Sequence, residues 1–226
     1  MSLLLCIDLA FVLIHTIHVW TPWLGNKKYS IEADHGLAEV YQYIKLVWMV
    51  ACLATAFLQT RIKVFISWTI LFAFLLLDDA AQIHESVGFW LGQRFGLPAI
   101  AGLRPDDFGE ILFAAFIGGL TIGVVAYTLW RGEPRARQVS RDILCLLCVL
   151  AFFAVGVDTL HVIAYFSSSP LSPVLAMIED GGEMIVISVL TCYTFDIVSN
   201  AGQIRIDVWG TLRSLWTRTI TARQTG

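Results

Sequence analysis

The sequence predicts an all-α fold, a multipass transmembrane helix bundle of about six spans followed by a C-terminal interfacial amphipathic helix. Three observations predict it. Of 226 residues, 57% are hydrophobic and 15% charged, where a soluble domain carries about 25% charged residues, and mean hydropathy is +0.72. Six stretches approach or exceed the roughly 20 apolar residues that a helix needs to cross a hydrocarbon core. Lys and Arg gather in alternate connections between those stretches, as orientation in a membrane requires. The net charge of −3 leaves no basic face to follow a phosphate backbone, which excludes nucleic acid as a partner.

The first stretch, 3–20, has no basic segment before it, and Asp8, His15 and His18 interrupt it with no cleavage signature behind them. It reads as a retained helix rather than a signal peptide. The second, 36–60, carries Glu39, Gln42, Tyr43 and Lys45 in its first third. The third, 63–88, runs LLLDDAAQIHE at its end, with Asp78, Asp79, His84 and Glu85. The fourth, 108–130, follows Asp106 and Asp107 and includes Glu110. The fifth, 142–166, holds Asp158 and His161 near its end, and the sixth, 174–199, opens with Glu179, Asp180 and Glu183. Asn200 and Gly202 stop the sixth. Beyond it, Val208, Leu212, Leu215 and Trp216 fall at helical spacing away from Arg213 and Arg218, the pattern of a helix lying in an interface. Residues 1–200 are therefore read as one bundle and 201–226 as a cytoplasmic amphipathic tail.

Arg61 and Lys63, the four arginines between 131 and 141, and Arg205, Arg213, Arg218 and Arg223 all fall on one side by alternation. That side is cytoplasmic, with both termini. Lys27 and Lys28 are the exception. The five cysteines, Cys6, Cys52, Cys145, Cys148 and Cys192, lie in apolar stretches where a thiol packs as a small hydrophobe. The CxxC of 145–148 is read the same way.

The depth of the polar groups is the informative feature. Asp78 lies about 22 Å from the cytoplasmic end of its span at 1.5 Å per residue. Every span, whichever way it runs, puts its ionisable residues toward the same outer face, and the inner halves are nearly free of them. Snorkelling alone does not produce that segregation, since either interface suits it equally. The acids therefore form one extracytoplasmic site. Asp78, Gln82 and Glu85 share a stripe at i, i+4, i+7, and so do Asp158, His161 and Tyr165 at i, i+3, i+7. His84 falls off its helix's stripe.

Buried carboxylates need a proton, a cation or a metal, and Lys45 is the one cation in this layer. Asp158-x-x-His161 offers oxygen and nitrogen ligands on one helical face, as Glu-x-x-His does in di-iron bundles. The expected metal ligands are Asp78, Asp79, His84, Asp158, His161 and Glu183, binding zinc, iron or manganese. Glu110 and Glu179 are the expected general bases. Glu39, Gln42, Tyr43, Lys45 and Glu85 complete the polar cluster. The plainer readings are a simple interhelical hydrogen bond for Asp158 and His161, solvated positions for Glu85, Asp106 and Asp107, and interfacial positions for His15 and His18. Gly118, Gly119, Gly181 and Gly182 are expected at close helix contacts.

The segments AEVYQYIK (38–45), LLLDDAAQIHE (75–85), DDFGE (106–110), VDTLH (157–161) and IEDGGEM (178–184) resemble a family of bacterial multipass inner-membrane proteins of unknown function. More loosely, the gathering of Asp and His on several helices is similar to the ceramidase and progestin-receptor superfamily of membrane metal hydrolases. Those proteins have seven spans and a three-histidine zinc site with HxxxH, which this chain lacks. The surplus of acids over cations and the Asp158-x-x-His161 pair point to a metal-dependent membrane hydrolase with a lipid-like or amphipathic substrate, and the ceramidase likeness is an analogy of mechanism; the family resemblance implies a bacterial inner-membrane location. A proton- or cation-coupled transporter and a non-catalytic subunit of a membrane complex are the alternatives.

Overall fold

A computed structural model describes residues 1–99, 103–130, 134–167 and 169–200, the side chains of 128 and 129 apart. The amphipathic tail read from 201–226 lies outside the described residues. The elements are α1 (Ser2–Trp20), a 3-10 turn (Lys27–Tyr29), α2 (Leu37–Thr60), α3 (Lys63–Ala81), α4 (Ile83–Phe95) and α5 (Pro105–Trp130), then α6 (Pro134–Ala151), a π-helical turn (Phe152–Val157), α7 (Asp158–Phe166) and α8 (Ser172–Ser199). No strand occurs among the described residues, and the fold is the all-α bundle expected.

Five helical segments are long and apolar enough to cross a membrane: α1, α2, α3, α5 to Tyr127, and the unbroken run Pro134–Phe166. Their outward faces carry Leu9, Trp48, Ile70, Phe116 and Leu120, all exposed, which suits a lipid surround rather than water. The sixth long helix, α8, is the axis of the bundle and touches α1, α2, α6 and α7. Along it, Met184, Ser188, Leu190, Tyr193 and Ile197 are all at most 1% exposed.

Side-chain pairs set the directions. Asp8, Val12 and Thr16 of α1 meet Ser188, Gly181 and Met177 of α8 in turn, so the two helices are antiparallel. The α6–α7 run is antiparallel to α8 as well, through Asp142 with Tyr193, Phe153 with Gly182, and His161 with Glu179. Between α2, α3, α6 and α8 lies the main apolar core, which includes Met49, Leu53, Phe65, Trp68, Phe72, Ile143 and Leu190. It fills one end of the bundle, and the carboxylates collect at the other.

Two features depart from expectation. The third span ends at Ala81 instead of running to 88, because Gln82 turns left-handed at φ 49° and a new helix starts. Asp78 drives this: its Oδ1 accepts the His84 backbone N–H at 2.9 Å, satisfying an orphan donor of the first turn of α4. The stripe expected through Asp78, Gln82 and Glu85 is thereby broken. α4 then lies back along α5, where Gly88 and Gly109 touch through their backbones and a Cβ on either would collide with the other helix. Gly118 and Gly119, expected at such contacts, have no neighbour near a Cβ position among the described residues, whereas Gly181 faces Val12 and Gly182 faces the Phe153 ring.

The polar groups are also less segregated than expected. Asp142, completely buried, accepts from Tyr193 Oη at 3.1 Å at the end away from the carboxylate cluster.

Candidate metal centre

The π-helical turn Phe152–Val157 ends on the residue before Asp158. Such a turn accommodates one extra residue and re-aims the side chains beyond it, and these turns recur at functional sites. Here Gly182 leaves room for the Phe153 ring against α8, and α7 leaves the turn with Asp158 and His161 directed at α8. His161 Nδ1 stands 2.9 Å from Glu179 Oε2. Asp158, His161 and Glu179 are half-buried, and each offers a ligand atom within 4.8 Å of the other two. Two oxygens and one imidazole nitrogen at this separation fit a divalent ion of the zinc, iron or manganese type.

The surrounding acids interact in a closed circuit. Asp158 interacts with Glu179 on one side and with Glu110 on the other. Glu110 interacts in turn with His84 and Glu85. His84 pairs through Nδ1 with Asp78 Oδ2 at 3.3 Å, and Asp79 interacts with Asp78, His84 and Glu39. Glu183 closes the circuit by interacting with Asp79, Asp158, Glu179 and Asp180. Eight carboxyls (Glu39, Asp78, Asp79, Glu110, Asp158, Glu179, Asp180, Glu183) from five helices thus share one region with two imidazoles.

The expected residues are mostly brought together, in altered roles. Asp78 and His84 are partners of each other, and that hydrogen bond raises the His84 pKa above its ordinary value. Off-stripe His84 joins the cluster because the helix breaks before it. Glu39 accepts from Tyr43 Oη and from the His35 backbone N–H, closing the start of α2. Gln42 Oε1 is buried, with no hydrogen-bond partner among the described residues. Glu85 is exposed and accepts from Gln82 Nε2 at 3.0 Å.

Lys45 is not the cluster's counter-ion. Its ammonium donates to Asp8 Oδ1 at 3.0 Å, the Met184 carbonyl at 2.9 Å and Ser188 Oγ at 3.2 Å, and it lies 4.6 Å from the centre of the Tyr41 ring. Ser188 Oγ donates onward to Asp8 Oδ2 at 2.6 Å. This second polar site, 2% exposed or less throughout, is closed and electroneutral. Sequence reasoning missed Asp8 and Ser188, and it left Asp180 outside the site. Asp8 was the available signal, an acid in the middle of an apolar helix, which demands a partner. His15 is likewise buried, at 2% exposed.

The family model described as a domain of unknown function, DUF8692, matches residues 8–197. The chain belongs to the DUF8692 family. That match takes in every residue of the carboxylate circuit and both members of the Asp8–Lys45 pair. No curated protein and no solved structure matches the chain.

Proposed function

We propose that this protein is a metal-dependent membrane hydrolase whose centre is Asp158, His161 and Glu179, with Glu183 one turn further along α8. The observation that carries the reading is three convergent N/O donors inside a circuit of eight carboxyls, where Lys45 is committed to Asp8 and Arg104, which interacts with Glu110, is hydrogen-bonded to Asp107. Unpaired buried carboxylates cost several kcal/mol apiece, and a divalent cation relieves several at once. When bound, such an ion activates water and polarises an ester or amide carbonyl.

The chain's own residues supply the remainder. Glu179, paired with His161, acts as a ligand in place of the base expected of it. Glu110, opposite Asp158 and packed on Gly88, takes the proton from the attacking water and returns it to the leaving group. A site at one end of a lipid-facing bundle suits a lipid-like or amphipathic substrate. The likeness to ceramidase-type hydrolases is one of mechanism. The reading places α8 as a sixth span, both termini in the cytoplasm of a bacterium and the site at the outer face of the inner membrane.

Elemental analysis tests the metal. Protein purified without chelator is expected to hold close to one zinc, iron or manganese per chain, and Asp158→Ala and His161→Ala to lose it. Wild-type protein without stoichiometric metal ends the proposal.

A second reading, an ion-coupled carrier, draws on the Asp8–Lys45–Ser188 group, which continues polar side chains from the cluster into the bundle. Proteoliposomes separate the two readings. A carrier dissipates an ion gradient, and a hydrolase leaves it intact.

A further inference from the structure

The connection between α1 and α2 is tied down by two histidines that use the same ring atom in opposite ways. His18 Nδ1 faces the Leu24 carbonyl oxygen, so this nitrogen carries hydrogen and donates. His15 Nδ1 faces the backbone N–H of Ile31 at 3.3 Å, so this nitrogen is bare and accepts. Ser30 Oγ lies 3.3 Å from the same Nδ1 and itself accepts the Glu32 N–H at 3.2 Å. Glu32 Oε1 lies 3.4 Å from His15 Nε2. Ile31 is buried at 6%, so its N–H has no ready access to water if His15 lets go.

Protonation therefore has unequal consequences at the two rings. An imidazolium donates from both nitrogens. His18 keeps its bond in either state. His15 loses its acceptor and turns an N–H toward the Ile31 N–H, leaving a buried donor unsatisfied. The charged groups beside His15 are Glu32 from the connection and His18 from α1. Pro173 and Met177 of α8 line a small cavity with His15, and Glu179 and Asp180 of α8 interact with Glu32.

The geometry points to a proton-operated latch: neutral His15 holds the Ile31 N–H, and its protonation releases that N–H while Glu32, 3.4 Å from Nε2, stays paired with the ring and His18 still anchors the connection at Leu24. The latch stands on the hydrogen-bond roles alone and is independent of the metal reading.

Hydrogen exchange of the 24–36 peptide tests it, in full-length protein in lipid nanodiscs from about pH 8 to about pH 5, spanning the ordinary histidine range. The control is His15→Asn, whose amide oxygen accepts the Ile31 N–H and does not titrate. Dividing wild-type by variant rates at each pH cancels the intrinsic chemistry of exchange. The ratio is expected to climb as pH falls, by up to about tenfold per unit for one linked proton, while α2 peptides stay level. A level ratio across the range overturns the latch. Should His15→Asn fail to fold, Glu32→Gln replaces it: losing the carboxylate charge shifts wild-type release to lower pH, and an unchanged midpoint overturns the latch equally.

Discussion

At the scale of single residues, the Asp8–Lys45 pair shows how a membrane interior tolerates full charge. Each ammonium hydrogen has an acceptor: a carboxylate, a backbone carbonyl and a hydroxyl. Removing one member leaves the other charged and uncompensated. Breaking a buried pair in this way costs about 3–5 kcal/mol, whereas exchanging both members for apolar residues of similar size is often close to neutral. Asp8→Ala and Lys45→Met are each expected to lower the unfolding midpoint in micelles sharply, and Asp8→Leu combined with Lys45→Met to recover most of the loss. A double variant no better than the singles would show that the pair does more than satisfy itself. The sequence displayed both residues but not their partnership, because helical spacing within α1 or α2 says nothing about rotation between them.

Among the elements, α4 was the least legible. The run from Lys63 through Gly88 reads as one apolar helix, and the break at Gln82 arises from an acid reaching forward to a backbone N–H six residues on, an interaction outside the 3.6-residue pattern. The π-helical turn before Asp158 was equally invisible, since FFAVGV has the composition of ordinary span. The long apolar stretches themselves were readable, because composition alone fixes them. The α4–α5 contact lends itself to a paired substitution. Gly109→Ala puts a methyl into the Gly88 backbone, which cannot yield as a side chain would, and is expected to destabilise by about 1–3 kcal/mol. Gly118→Ala meets nothing among the described residues and removes a poor helix former, so it is expected to be neutral or stabilising by up to about 1 kcal/mol. Equal effects in thermal unfolding would show that α4 does not dock on α5 through Gly109.

For the whole molecule, the gathering of acids at one end was legible because the order of the chain dictates it: alternating helices fold the beginnings of some and the ends of others into one layer. The apportioning of that layer was not legible. Asp78 bound to His84, Lys45 withdrawn to Asp8 and Glu179 joined to His161 depend on rotations that only packing decides. The result is a cluster fed by α2, α3, α5, α7 and α8, in which an ion held by Asp158, His161 and Glu179 would tie α7 to α8. A ligand that binds the folded state alone stabilises it by about 2.7 kcal/mol at one hundred times its dissociation constant. Chelator-stripped protein is therefore expected to unfold at a lower temperature than the same protein resupplied with zinc or manganese. The gain should vanish in His161→Ala, which lacks the one imidazole of the ligand set. It should survive in the Asp8→Leu, Lys45→Met double variant, because that site is closed and contributes no ligand. A rise that persists in His161→Ala would place the ion elsewhere on the chain. No rise in wild type would leave protons, not a metal, as the means by which eight carboxyls share one end of a bundle.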